Sequence, residues 1–190
     1  MLADFLNALT HVIARASVRR RFFEDPASVL AAFALSAEER RALVAIDRAA
    51  LDRYATSLVE KRWHELARSV PLSLRVSERA LRHAYVAWLA EHPSPPADTA
   101  LDPGVFEGLR ALAALRASLE TKTHLCAFAG DLLAYELSRA ASKQDGQERS
   151  LNASFAVHSI VADLERGVIP IDPAPQSTRY RFTEAGVQWR

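Results

Sequence analysis

Apolar residues recur three and four positions apart over residues 1–146, then every second position near residue 180, so a helical body followed by a small sheet is predicted. Leu2, Phe5, Leu6, Leu9, Val12 and Ile13 form one stripe over 2–16, the mark of an amphipathic helix. A short helix is expected over 18–24. Asp25-Pro26 reads as an N-cap with proline at the first helical position, opening a helix over 27–33. Ser36-Ala-Glu-Glu39 fits a capping box. Asp47 is placed to cap a long helix over 48–69, which Pro71 interrupts, and Ser77 to cap a helix bearing Leu81, Tyr85, Trp88 and Leu89.

The proline-rich stretch 92–103 reads as a loop within one helical bundle, followed by helices over 105–119 and 123–141. Residues 143–150 are wholly polar and predict a turn, after which Leu151–His158 alternates weakly as a strand. Ser159 is expected to cap a short helix over 160–166, with Gly167 just beyond its end. In the hairpin that follows, Tyr180 and Phe182 alternate with Arg179 and Arg181, Ala185-Gly186 turns, and Val187 and Trp189 alternate with Gln188 and Arg190. The expected fold class is α+β: a helical bundle (1–146) followed by a small C-terminal three-stranded β-sheet (147–190). The pattern leaves the strand order open, so either 151–158 or a hairpin strand can lie outermost.

Composition narrows the chemistry. At 190 residues, nearly half apolar and a quarter charged, the chain can bury a substantial core. Arg outnumbers Lys 21 to 3, as codon bias in a GC-rich genome produces, and the net charge of +1 gives no reason to expect nucleic acid or an anionic membrane. The lone Cys126 cannot form an internal disulfide. No basic segment precedes an apolar one at the N-terminus and no window suits a membrane span, so a cytoplasmic location is expected.

No catalytic motif stands out. His64-Glu65 begins like a zinc-protease helix, but Arg68 occupies the position of the second histidine. His124 and Cys126, two apart, fall on different faces of a helix. Asp131 and Glu136, five apart, face each other poorly and suit a solvated or helix-capping role. Arg15, Arg19, Arg20 and Arg21 form the strongest basic cluster, read as a solvated face balanced by Glu24, Asp25, Glu38 and Glu39. A DNA-binding regulator built on that cluster is the alternative function.

The sheet is the better candidate, because a terminal strand with one neighbour can accept an extended peptide. The candidate peptide-binding residues are Phe155, Val157, Arg179, Tyr180, Arg181, Phe182, Val187 and Trp189, with the two arginines placed to steer acidic side chains. Main-chain pairing at about 1 kcal/mol per hydrogen bond makes micromolar affinity an expectation without deep pockets.

Two stretches carry a family resemblance. Phe22-Phe-Glu-Asp-Pro through Leu35-Ser-Ala-Glu-Glu-Arg-Arg-Ala-Leu43 resembles a helical segment of small bacterial peptide-pathway proteins. Asp131-Leu-Leu-Ala-Tyr-Glu136, followed by the β-tail, is similar to the MbnC-like partner proteins of multinuclear iron oxidative enzymes in methanobactin biosynthesis. Ala34 stands where that pattern carries Gly, a substitution costing about 1 kcal/mol if the turn is left-handed. The resemblance implies a noncatalytic subunit with no cofactor of its own, iron residing in the partner enzyme. It implies two partners: an MbnB-like iron enzyme, bound as a heterodimer, and a precursor peptide. The leader of that peptide adds as a strand to the small sheet while the enzyme modifies cysteines with iron and dioxygen.

Overall fold

The computed structural model describes residues 2–92, 100–122 and 127–190, and their order is a succession of helices followed by a three-stranded antiparallel sheet with one helix inserted. The α+β class expected from the periodicity is observed. The chain divides into two compact units, Met1–Lys61 with Val86–Pro95, and Arg62–Tyr85 with Pro96–Arg190. The boundary expected near residue 146 falls inside the second.

The first unit contains α1 (Leu2–Ala14), α2 (Ala16–Glu24), α3 (Pro26–Leu30) and α4 (Ala37–Val44), with the beginning of α5 (Arg48–Ser69) and the end of α6 (Pro71–Leu89). Its core gathers Ala8, Val12, Phe22, Leu30, Leu43 and Leu51; of the predicted α1 stripe Val12 is in it, Phe5, Leu9 and Ile13 pack against it, and Leu6 is half exposed. Local chemistry starts α3, α4 and α5 where the sequence predicts, whereas α2 begins at Ala16, two residues before its expected start and with no side-chain cap. The Asp25 carboxylate accepts from Ser28 N–H at 3.1 Å, and Asp47 accepts from Ala50 N–H at 2.6 Å. Ser36 and Glu39 exchange both bonds of a capping box. Ala34 does not have positive φ, so the turn before Ser36 is built without a left-handed residue and carries no alanine penalty there.

The second unit is organised around α7 (Pro103–Lys122) and α8 (Ala129–Asp145). A Cβ on Gly104 would lie 2.2 Å from the carbonyl oxygen of Glu65, and one on Gly108 2.8 Å from Leu66 and 2.7 Å from Leu137. Glycine at these two positions is what lets α7 approach α5 and α8 so closely. Glu107, on the same stretch of α7, is 6% exposed and accepts two hydrogen bonds from Arg62 and one from the Tyr85 hydroxyl, all at 2.7 Å.

Four expectations are corrected here. Helix α8 runs on to Asp145, through residues read as a turn, and ends at Gly146 in a left-handed conformation (φ 70°). The strand after it, β1 (Arg149–Ala153), stops short of His158, because α9 (Val157–Glu165) begins at Val157 from Ala156, not from a Ser159 cap. The hairpin turns at Glu184-Ala185, and Gly186 already belongs to β3 (Gly186–Trp189). Ser77 does break the helical backbone (φ −148°), but its hydroxyl donates back to Ser73 O, and Pro71–Val76 is helical as well. Gly167 follows α9 with φ 83°, as expected. The predicted loop at 92–103 falls largely outside the described residues, as do His124 and Cys126.

Candidate functional site: the edges of the C-terminal sheet

Strand β2 (Thr178–Thr183) lies in the middle, with β1 and β3 on either side. Leu151 stands opposite Tyr180, Tyr180 opposite Trp189, and Phe182 opposite Val187. The period-two alternation therefore sends Leu151, Ala153, Tyr180 and Phe182 inward and Ser150, Asn152, Arg179 and Arg181 outward. On the inner face the Tyr135 ring of α8 meets both Tyr180 and Phe182 edge-on at 5.2 Å, which fixes the central strand to the helix.

Arg179 and Arg190 exchange both backbone hydrogen bonds, at 3.1 and 3.2 Å. Antiparallel ladders alternate, so Arg181–Gln188 and Thr183–Gly186 are the next bonded pairs. It follows that the N–H and C=O groups of Val187 and Trp189 point away from β2, along an edge that pairs with no other strand among the described residues. The same alternation turns the backbone groups of Ser150 and Asn152 outward along β1.

Trp189 is 54% exposed, although it belongs to the inner-facing set. Its indole stacks on the His158 imidazole of α9 (4.7 Å, 17°). The Tyr180 hydroxyl in turn accepts the His158 backbone N–H at 3.2 Å and lies 2.9 Å from Nδ1, and burial pushes the Tyr180 phenol up from its ordinary value. An aromatic ledge thus borders the β3 edge. The outward face is basic and shallow: a cavity of about 390 Å³ is bordered by Arg179, Arg181, Arg190 and Glu148. Arg181 donates to Glu148 at 2.5 Å and holds that carboxyl below the usual carboxylate range.

Of the expected site residues, Val187 and Trp189 lie on the open β3 edge, while Arg179 and Arg181 project from the central strand onto the outward face. Tyr180 and Phe182 are fully buried and anchor β2. Phe155 and Val157 are also buried, one packed edge-on against Phe128 and the other at the start of α9, and neither is part of a strand. His158 was missed by the sequence reading because its partner, Trp189, is distant in sequence and only the fold stacks them.

The other candidates resolve into structural roles. Asp131 is buried, bonded to Arg116 at 2.7 Å and to Ser154 N–H at 2.6 Å. Glu136 accepts from Leu72 N–H, Ser73 N–H and the Ser73 hydroxyl, capping α6 from a distant helix, and burial raises its pKa despite those bonds. Both are more deeply placed than a solvated role requires. In the basic cluster, Arg19 bonds to Asp52 and to Ile13 O. No group of three or more potential metal ligands occurs among the described residues, and no helix there is long and apolar enough to cross a membrane. The chain matches no protein-family model, no curated protein and no solved structure.

Proposed function

We propose that this chain is a noncatalytic adaptor of a peptide-modifying complex, binding an iron- and dioxygen-dependent enzyme and receiving the leader of a ribosomally made precursor whose cysteines the enzyme oxidises. The observation that carries the reading is the open β3 edge, where Val187 and Trp189 offer two N–H and two C=O groups beside an aromatic ledge. The resemblance to MbnC-like partner proteins supplies the enzyme, the heterodimer and the methanobactin-like product.

Four main-chain hydrogen bonds contribute about 2–6 kcal/mol at ~0.5–1.5 each, against the roughly 8 kcal/mol of a micromolar complex. A four-residue β3 therefore needs side-chain contacts, contrary to an affinity built on pairing alone. The exposed Trp189 supplies apolar area, and Arg179 and Arg190 supply charge for an acidic leader.

The experiment is co-expression of this chain with an MbnB-like iron enzyme and its cysteine-containing precursor. Co-purification of all three, and cysteine modification that requires this chain, are the expected results. Modification at an unchanged rate without the chain, or failure of the three to co-purify, sinks the reading.

A further inference from the structure

A second concavity, of about 670 Å³, lies within the second unit where the end of α5 and the start of α6 meet α8 and the end of α9. It shares no lining residue with the β3 edge or the basic sheet face. The exposed side chains of Arg68, Arg139 and Lys143 border it, together with the carboxylates of Asp102, Glu136 and Glu165. Arg139 and Lys143, four apart on α8, project on one face of that helix with Tyr135 one turn earlier.

The polar groups of this lining are unevenly satisfied. Glu136 is engaged by the α6 amides, and Asp102 accepts from Gly104 N–H at 2.9 Å. The three cations, by contrast, make no hydrogen bond or close ion pair with any described residue, Arg139 acting on Glu136 and Tyr135 only through its longer-range field. Tyr135 is 95% buried (5% exposed), and its hydroxyl likewise has no partner among the described residues. Tyr135 is itself one of the residues lining the cavity.

We propose that this cavity binds a small free oxyanion, a carboxylate- or phosphate-bearing molecule of metabolite size, with Arg139, Lys143 and Arg68 neutralising it and the Tyr135 hydroxyl donating to one of its oxygens. The guanidinium fork matches either group, and the volume falls in the range of small-molecule sites. The exposed Glu165 carboxylate, also in the lining, favours a ligand that carries a cationic or donor group besides its oxyanion.

The test is calorimetric titration of the full chain with inorganic phosphate and with citrate, at constant ionic strength. Saturable one-site binding of at least one probe is expected. Loss of one charge-assisted bond weakens binding roughly tenfold or more, so Arg139→Gln, Lys143→Gln and Tyr135→Phe should each do so. Arg179→Gln and Arg190→Gln, on the basic sheet face, should leave it unchanged. Melting curves matching the parent's identify the variants that are properly folded. The proposal is overturned by absence of saturable binding, by equal weakening in the sheet-face variants, or by binding of an acidic peptide with neither small probe taken up. The co-expression result at the β3 edge bears on none of these outcomes.

Discussion

Removing the Tyr85 hydroxyl tests whether the second unit is held by a buried, coupled triad. Glu107 lies 6% exposed between the Arg62 guanidinium, which contacts both its oxygens, and Tyr85, which is fully buried. Burial and the neighbouring carboxylate both push the Tyr85 phenol above its ordinary value, so it is a neutral donor at neutral pH. Tyr85→Phe keeps the ring packed near Trp63 (6.2 Å) and removes one hydrogen bond to a charged acceptor, costing about 1.5–3 kcal/mol. Glu107→Gln leaves Arg62, whose side chain is only 18% exposed, without its counter-charge, and should cost about 3–5 kcal/mol. Because both changes strip the same site, the double variant should cost less than the sum by roughly 1–2 kcal/mol. Urea unfolding followed by circular dichroism, with amide exchange over α7 to locate the loss in the second unit, measures all three. Two single variants each costing under about 0.5 kcal/mol, the size of an ordinary surface change, or strict additivity, would falsify the picture of a buried, coupled triad.

Gly104→Ala forces a Cβ to 2.2 Å from the Glu65 carbonyl oxygen, and backbone there cannot step aside cheaply; a loss of about 1–3 kcal/mol in thermal or urea melts is expected, and more if α7 is displaced. Arg149 bonding, with Gln147 N–H, holds the Asp145 carboxyl down to about 2. A folded pKa below the unfolded one gives stability that is present above the unfolded pKa and lost as pH falls through the folded one. Asp145→Asn should therefore be less stable than the parent at neutral pH, with the difference closing between about pH 4 and 2 in melting curves. Val187→Pro removes an outward N–H and no bond to β2, so co-purification of the precursor should fall while the melting temperature holds. Gln188→Pro, which breaks the ladder itself, should lower both.

Much of what was written in short-range chemistry was legible. The Ser36–Glu39 capping box, the Asp25-Pro26 start, the Asp47 cap and Gly167 each depend on residues within four positions, and each is built as the spacing predicts. Some failures came where a distant group supplies what the local sequence lacks, others where a local pattern admits more than one structure. Helix α6 begins at Pro71 because Glu136 caps it from α8, and α9 begins at Val157 with no side-chain cap, so Ser159 looked like the better start. Lys143–Asp145 reads as a turn because it is polar, yet Arg149 bonds to Asp145 beyond Gly146 and the helix continues. The β-tail was legible by alternation. Its strand order was not, because period two says which face a residue takes but not which neighbour the strand has.

Central placement of β2 has one more consequence. The sheet ends in two unlike rims, Ser150 and Asn152 on one side and Val187 and Trp189 on the other. Pairing of one rim with the opposite rim of a second copy is heterologous, so it builds a ring where the rotation closes and a filament where it does not. Any strand seated on β3 terminates such growth. A guest peptide would then act as a chain stopper as well as cargo, keeping the molecules that carry it dispersed.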